Sequence, residues 1–279
     1  MQEYRPSEVQ RALSNRFSIV EPIRAGGQGA VYRAMRTALP DGSPTHDHVA
    51  LKIYGVAGQE ERVDREVAVM QRIRHASLAS LVEAGELSLA GAKLRYVAWG
   101  YVEGAALDER LSRGPLEPNT VAVVGRDVAA ALAELWTHRI VHRDIKPKNV
   151  MLRRGEREAV LIDLGIARHL DEASLTPHGM TCGTIGYMSP EQFRGERHLT
   201  CKSDVFSLGV VLQESLAAAH PTGRDQVRLV TTPPRTAEIA PTCPTALANI
   251  VDSMLSLRPA FRPDPCTLVK SFENLIALL

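Results

Sequence analysis

The chain has 279 residues, of which 44% are hydrophobic, 23% charged and 5% aromatic, and its formal net charge is +1. This length exceeds what one compact core usually holds, so we expect two lobes. The balanced charge argues against a nucleic-acid or membrane-surface binder, for which a concentrated basic face is expected. No apolar run reaches membrane-spanning length and residues 1–16 lack an apolar signal-peptide core, so we expect a cytoplasmic protein. A longer parent chain with a membrane anchor stays open.

The first part of the chain predicts a small, β-rich lobe. Residues 6–16 have helical spacing and are interpreted as a leader, residues 1–16, that precedes the first strand. Five runs combine β-type residues with flanking turn chemistry, and they lie at 17–25, 30–35, 48–54, 78–87 and 93–102. A helical stretch at 59–74 interrupts them. We therefore predict an antiparallel sheet with one main helix over residues 17–102.

From Leu107 onward the pattern becomes mostly helical. Two sets of apolar residues each fall on one helical face, namely Val124, Val128, Ala131, Leu132 and Leu135, and Val205, Leu208, Val211, Leu212 and Leu216. No internal repeat or low-complexity linker interrupts the sequence. The predicted fold class is α+β, with a larger helical lobe over residues 103–279.

The cysteines favour reduced, structural thiols, because they are scattered without a CxxC pair. They are Cys182, Cys201, Cys243 and Cys266. His178 with Cys182 and His198 with Cys201 are the candidates for a zinc site, but they lie in different segments without zinc-finger spacing. Loop histidines and buried thiols are the preferred interpretation.

The most informative segment is 141–150, with the sequence VHRDIKPKNV. It places the carboxylate of Asp144, the ammonium of Lys146 and the amide of Asn149 at short intervals. In phosphoryl transfer, an Asp accepts the proton of an attacking hydroxyl, a Lys neutralises the moving phosphoryl group, and an Asn holds a metal ion. Asp163, in the sequence LIDLG, supplies a second metal-binding side chain. Apolar residues flank both motifs, which predicts loops at the ends of buried strands.

In this order and spacing, the two motifs resemble those of Hanks-type serine/threonine protein kinases, similar to the eukaryotic-like kinases of bacteria. The resemblance runs from about Phe17 to the C-terminus and implies a two-lobed kinase domain that transfers the γ-phosphoryl group of ATP to protein Ser or Thr hydroxyls. It implies Asp144 as the catalytic base and Lys146 as the γ-phosphate contact. Asn149 and Asp163 become ligands of Mg²⁺, with Mn²⁺ as an alternative. Either motif alone would be an ordinary turn or strand end.

The resemblance also implies phosphate contacts in the small lobe. Residues 23–32, which begin at Ile23, resemble the Gly-rich loop. Gly26 and Gly29 match its second and third glycines, while Arg24 replaces the first. Lys52 matches the Lys that grips the α- and β-phosphates. Glu66 matches its helical partner, although a helix Glu is more often a solvated surface residue.

Residues 96–104 look like the kinase hinge. By similarity, the Gly100 carbonyl and the Val102 amide would bond adenine, and the contacts above and below the ring would come from Val31, Ala50 and Met151. These apolar residues could equally belong to the core. Trp99 falls at the gatekeeper position, where its size is unusual, unless the hinge register is displaced by one residue.

Further assignments concern the larger lobe. Glu191, in Ser-Pro-Glu where the family has Ala-Pro-Glu, would pair with Arg262, and Asp204 would brace the catalytic loop. Leu164 replaces the usual Phe of the metal-binding triplet. The resemblance implies that Leu164 stacks with a set of three residues, His142, Met70 and Leu81.

Regulation by phosphorylation is predicted in the segment from Asp163 to Glu191. Arg143 directly precedes the catalytic Asp144 and needs an anionic partner, which a phosphate on Ser174, Thr176 or Thr181 would supply; Thr181 is the preferred site. Thr184 is assigned instead to shaping the substrate shelf and to contacting Asp144 or Lys146. The alternative is a loop whose hydroxyls are merely solvated.

Two other functions stay open. One is an ATP-binding pseudokinase that acts as a scaffold, which Arg24 and Trp99 favour and the complete set of Lys52, Asp144 and the metal ligands disfavours. The other is a small-molecule kinase of related fold, which the Gly-Thr and Ser-Pro-Glu segment disfavours. Expected partners are protein substrates and, for trans-autophosphorylation, a second copy of the chain; nucleic acid and membrane insertion are not expected.

Overall fold

The chain folds into two compact units. The computed structural model describes residues 5–13, 15–26, 29–38, 45, 47–54, 60–89, 91–163 and 183–279, with backbone alone at 24–26, 60–62, 65 and 66. The first unit contains the described residues up to 74 together with Ala79–Val102, and the second contains His75–Leu78 and Glu103–Leu279.

The first unit is built on an antiparallel sheet with the strand order β1-β2-β3-β5-β4. Its elements are α1 (Pro6–Leu13), β1 (Phe17–Gly26), β2 (Gly29–Arg36), β3 (His48–Ile53), α2 (Glu60–Met70), β4 (Leu81–Leu89) and β5 (Ala92–Gly100). Burial alternates along β3 with the period of two that a strand imposes. The predicted antiparallel sheet with one main helix is confirmed.

Helix α1 packs on this sheet and contacts both edge strands, β1 and β4. Val9 and Leu13, one helical turn apart, are buried in the same apolar cluster as the inward side chains of the sheet. The side chain of Gln10 donates to the Phe17 carbonyl and accepts from the Ile19 amide, at 3.1 and 2.6 Å. Helix α1, which lies in the segment interpreted as a leader, is therefore part of the core of the first unit.

A buried carboxylate joins several elements of the same unit. Glu83 on β4 accepts a 2.6 Å hydrogen bond from the Tyr96 hydroxyl on β5. It also forms ion pairs with Arg16, just before β1, at 2.9 Å and with Arg36, at the end of β2, at 3.2 Å. Because a buried carboxylate is tolerated only when it is paired, these partners offset the cost of placing the Glu83 side chain inside the unit.

The second unit combines a small antiparallel sheet, in the order β6-β7-β8, with helices. Its elements are β6 (Gly104–Ala106), α3 (Leu107–Leu111), α4 (Pro118–Thr137), β7 (Val150–Arg153), β8 (Ala159–Leu161), α5 (Pro190–Phe193), α6 (Cys201–Ala217), α7 (Gln226–Thr231), α8 (Thr236–Ile239), α9 (Thr245–Met254) and α10 (Pro265–Ile276). Within the described ranges, no helix has both the length and the apolarity that crossing a membrane requires.

Helix α6 forms the centre of the second unit and packs against α4, α9 and α10. The apolar pattern predicted one buried face for α6, but its residues are buried on all sides, including Phe206 and Val210 outside that face. The difference arises because several helices surround α6, so each of its sides meets apolar side chains. This rigid helix carries Asp204 in its first turn.

Candidate active site

The segment 141–149 leads from α4 to β7, and its apolar residues anchor it. Val141 and Ile145 are buried, as is the ring of His142. The His142 ring accepts a 3.3 Å hydrogen bond at Nδ1 from the Asp144 backbone N–H. Arg143 has a φ of 65°, in the left-handed region, which costs a residue with a side chain on the order of 1 kcal/mol.

Asp204 holds this strained turn in place. Its two carboxylate oxygens accept hydrogen bonds from the backbone N–H groups of His142 and Arg143, at 2.7 and 2.8 Å. Gln192 donates to the Arg143 carbonyl at 2.8 Å. Burial raises the pKa of Asp204 to about 7, although both backbone hydrogen bonds and the charge of Arg143 act to lower it. The bracing of the catalytic loop that the resemblance implied is present.

Asp144, Lys146 and Thr184 form a closed triangle of hydrogen bonds. Lys146 Nζ lies 2.7 Å from Asp144 Oδ2 and 2.8 Å from Thr184 Oγ1. The Thr184 hydroxyl donates to Asp144 Oδ1 at 2.6 Å. Because this hydroxyl accepts from Lys146 and donates to Asp144, its hydrogen has a fixed direction. The predicted contact of Thr184 is thus present with both residues.

Asn149 and Asp163 lie at the adjoining ends of β7 and β8. Asn149 closes a 3₁₀ turn, Pro147–Asn149, and its side-chain nitrogen donates to the Asp144 carbonyl at 2.8 Å and to Asp144 Oδ2 at 3.3 Å. The Ile162 amide donates to the Asn149 carbonyl at 2.8 Å, so the two strand ends are joined. Asp163 follows directly, exposed, with a left-handed φ of 55°.

This donor set fits Mg²⁺. The side-chain nitrogen of Asn149 is committed to Asp144, which leaves its carbonyl oxygen as the metal-binding atom, and Asp163 adds a carboxylate. Within the described residues no three His, Cys, Asp or Glu side chains gather into a metal cage. Mg²⁺ does not need one, because it is usually held by one or two protein oxygens together with substrate phosphates and waters.

In the first unit, β2 and β3 place the nucleotide candidates on neighbouring strands. Val31 is paired with Lys52, and Ala50 with Trp99 on β5. The Lys52 ammonium lies 5.0 Å from the centre of the Tyr54 ring. Gly29 has a φ of 134°, and a Cβ there would lie 1.9 Å from the Ile53 carbonyl oxygen, so the close approach of β2 to β3 itself requires glycine.

The predicted hinge begins at the end of β5. The Gly100 amide donates to the Ser80 carbonyl at 2.8 Å, and the Tyr101 amide donates to the His48 carbonyl at 3.1 Å. Trp99 is buried between its strand neighbours Ala50 and Leu81. Its bulk is therefore part of the interior of this unit.

The remaining predicted residues lie in both units or outside the described part of the chain. In the first unit Ile23 is exposed and Val102 buried, and in the second unit Met151 is half-buried on β7. The backbone of Gly26 pairs with Gly29. A last group lies outside the described residues or side chains, namely Arg24, Glu66, Leu164, Ser174, Thr176, His178, Thr181 and Cys182.

Side chains of the helices hold the segment 183–191. Glu191 forms the predicted pair with Arg262, in a bidentate geometry at 2.6 and 2.9 Å, and Ser203 donates to the same carboxylate. The Tyr187 hydroxyl donates to Glu214 at 2.7 Å. Burial first, and then the Glu214 charge, raise the pKa of Tyr187.

Sequence reasoning missed two residues that contact this segment, His220 and Gln226. The only local signal is the turn sequence HPTGRD between two helical runs, which marks a loop but not what its first residue touches.

Comparisons with known proteins agree with this geometry. A family model described as a protein kinase domain matches residues 17–272. The chain is similar to a probable serine/threonine-protein kinase of Clostridium acetobutylicum, with 33% identity over 76% of this chain and 32% of that protein. It is similar to the serine/threonine-protein kinase pkn2 of Myxococcus xanthus, with 31% identity over 75% of this chain and 25% of that protein. PknL of Mycobacterium tuberculosis is 30% identical over 90% of this chain and 63% of its own length. The chain thus spans about a quarter to under two thirds of these relatives.

Proposed function

The chain belongs to the protein kinase family, and we propose that it transfers the γ-phosphoryl group of ATP to Ser and Thr hydroxyls of proteins. The observation that carries this proposal is the triangle of Asp144, Lys146 and Thr184 with Asn149 beside it. It brings a base, a cation and a metal-binding amide together on one buried loop. The serine/threonine specificity is supported by the names of the relatives.

In the proposed reaction, Asp144 accepts the proton of the substrate hydroxyl as its oxygen attacks phosphorus. The hydrogen bonds from Lys146 and Thr184 hold the Asp144 carboxylate in one orientation, which is how a positioned base gains its effect. The Lys146 ammonium is also placed to neutralise charge on the transferred group. The proton thus moves to Asp144, and the phosphoryl group moves from ATP to the substrate oxygen.

Asn149 and Asp163 are the residues that would hold Mg²⁺, with Mn²⁺ as the alternative. When bound, the ion neutralises phosphate charge and orients the phosphates. Lys52 would contact the α- and β-phosphates. The other residues proposed to contact the nucleotide are Ile23, Gly26, Gly29, Val31, Ala50, Gly100, Val102 and Met151. Glu66 is proposed as the partner of Lys52.

Regulation extends this proposal. We propose that Ser174, Thr176 or Thr181 accepts a phosphate that docks on Arg143, with Thr181 as the main site, through autophosphorylation between two copies of the chain. A second proposal is that this domain works in the cytoplasm. Both concern the whole protein, of which this chain can be a part.

The test is radiolabelled ATP turnover with casein as a generic substrate and Mg²⁺ or Mn²⁺ as the ion. Asp144→Asn should lower phosphate transfer by about 10²-fold or more, because it removes the base but keeps the shape of the side chain. Lys52→Met should abolish transfer. Lys270→Met, which removes an exposed Lys on α10, is the matched control and should keep wild-type activity. Undiminished transfer by the Asp144 and Lys52 variants would refute the assignment, and ATP binding without transfer by wild type would favour a pseudokinase.

A further inference from the structure

The loop that follows α6 folds around the imidazole of His220. Ring atom Nδ1 accepts hydrogen bonds from the backbone N–H groups of Thr222, at 3.2 Å, and Arg224, at 2.9 Å. The Gly223 amide donates to the His220 carbonyl at 3.0 Å. Because Nδ1 accepts from two N–H groups, it carries no proton, and the ring is the neutral tautomer protonated at Nε2.

The other ring nitrogen points at the segment that contains Thr184. His220 Nε2 lies 2.8 Å from the Gly186 carbonyl oxygen, to which this tautomer donates. Gln226, the first residue of α7, accepts from the Gly186 amide at 2.7 Å and donates to the Met188 carbonyl at 2.9 Å. Two side chains from one short stretch therefore hold three backbone groups within Gly186–Met188.

The packing leaves this segment little freedom to shift. Gly186 has a φ of 96°, and a Cβ there would lie 3.0 Å from His220 Nε2, so the imidazole occupies the space that a side chain would need. The Tyr187 ring meets the imidazole edge-on, with centroids 5.2 Å apart. Thr184, two residues before Gly186, is bonded to Asp144 and Lys146. A displacement of Gly186 would therefore shift Thr184 and its hydrogen bonds to Asp144 and Lys146.

The burial of the His220 ring favours its neutral form. Burial lowers the pKa of His220, and the neighbouring Arg224 adds to this effect, while the Gly186 carbonyl and Glu214 of α6 oppose it. The phenol of Tyr187 is the remaining titratable group that packs on the ring. A proton added at Nδ1 would remove the acceptor from both N–H groups of the loop, so protonation and the present loop conformation exclude each other.

We propose that His220 is a positioning residue for protein substrates: its neutral ring holds Gly183–Ser189 where a substrate hydroxyl can reach Asp144, and protonation at Nδ1 releases that segment. This inference rests on the proposed function and adds a residue and a pH dependence to it. The KM for a protein substrate should rise as the pH falls, while the KM for ATP should stay nearly constant.

The experiment measures kcat and KM for casein and KM for ATP between about pH 5 and pH 8. For wild type, the KM for casein should rise about 3- to 10-fold as His220 becomes protonated and its loop reorients, which is the effect of then losing the hydrogen bond from the ring to the Gly186 carbonyl. His220→Ala should show the raised KM at every pH. His220→Gln keeps an N–H donor near the Nε2 position and does not titrate, so it should restore a lower KM without the acid-side rise.

The matched control is His138→Ala, which removes an exposed His at the end of α4 and should keep the wild-type pH profile. Nitrogen NMR of the wild-type His220 ring should show the tautomer protonated at Nε2, and this measurement needs no variant to fold. Identical KM profiles in wild type and both His220 variants, or a ring protonated at Nδ1, would overturn the role of His220 alone. Failure of wild type to transfer phosphate at any pH would overturn the proposed function, and the role of His220 with it.

Discussion

Replacing Arg262 with Met should strongly destabilise the second unit, because it leaves the Glu191 carboxylate buried without its cation. The Arg262 side chain has 0% exposure and that of Glu191 has 5%. The guanidinium donates twice to Glu191 and also to the carbonyls of Ser256 and Lys202, both at 2.7 Å. The change therefore leaves the Glu191 charge and the Ser256 carbonyl without this partner, while the Lys202 carbonyl lies in α6 and still accepts a helical hydrogen bond.

The expected loss follows from these contacts. Breaking a buried ion pair by removing one partner costs about 3 to 5 kcal/mol, and the Ser256 carbonyl left without a donor adds about 1 kcal/mol or more. We expect Arg262→Met to lower the free energy of unfolding by about 5 kcal/mol. The double variant Arg262→Met with Glu191→Gln should recover about 2 kcal/mol of this loss, because it removes the stranded charge.

Urea unfolding measures these differences, followed by the fluorescence of Trp136 on α4 in a Trp99→Phe background. Arg113→Met, which breaks an exposed ion pair with Glu109, is the control and should cost less than about 1 kcal/mol. A loss below about 1 kcal/mol for Arg262→Met, or no recovery in the double variant, would refute the reasoning.

The pH dependence of stability gives a second test of the same pair. Burial alone would raise the pKa of Glu191, but hydrogen bonds from Arg262 and Ser203 outweigh it and hold this pKa below its ordinary value of 4.5. The stabilisation is therefore complete above pH 4.5 and is lost as the pH falls through the lower folded-state pKa. In Arg262→Met the folded-state pKa should instead be raised, so that variant should gain stability relative to wild type on acidification.

Three other perturbations test the site. Asp204→Asn leaves one of two backbone N–H groups without its acceptor, so phosphate transfer should fall about 10-fold or more with an unchanged circular dichroism spectrum; full activity would contradict the bracing role. Thr184→Ala should reduce transfer about 10²-fold, whereas Thr184→Ser keeps the hydroxyl and most of the rate; equal rates in the two variants would show that the hydroxyl is not needed. Trp99→Ala should admit inhibitors that reach past the gatekeeper and should cost about 3 kcal/mol of stability. If wild type and this variant bind such inhibitors with equal affinity, the predicted hinge register is wrong.

The sequence could predict what depends on local pattern or on a complete motif. Strand runs with period-two burial were recognisable, as was the catalytic segment 141–150. The pair of Glu191 and Arg262, separated by 71 positions, was predicted because the family resemblance supplied both partners at once. Single contacts of this kind leave no periodic signal in one chain.

Other features could not be predicted, because they depend on tertiary packing. The left-handed backbone of Arg143 has no residue signature, since hydrogen bonds with Asp204 and Gln192 hold that turn. The environment of Glu83 and the loop around His220 depend on neighbours that are distant along the chain or held in an irregular turn. The all-round burial of α6 likewise follows from its neighbours and not from its own periodicity.

Because of helix α1, the residues that match the family and the residues that form the folded core do not begin at the same position. The shared family begins at residue 17, yet the folded core of the first unit begins with α1, which precedes that residue. A protein cut at the family boundary would uncover inward side chains of the sheet, together with parts of its edge strands β1 and β4, where unpaired backbone groups invite association between chains. Helix α1 therefore belongs to the core of the first unit although it lies outside the family match, and a protein that keeps it should be the more monodisperse on expression.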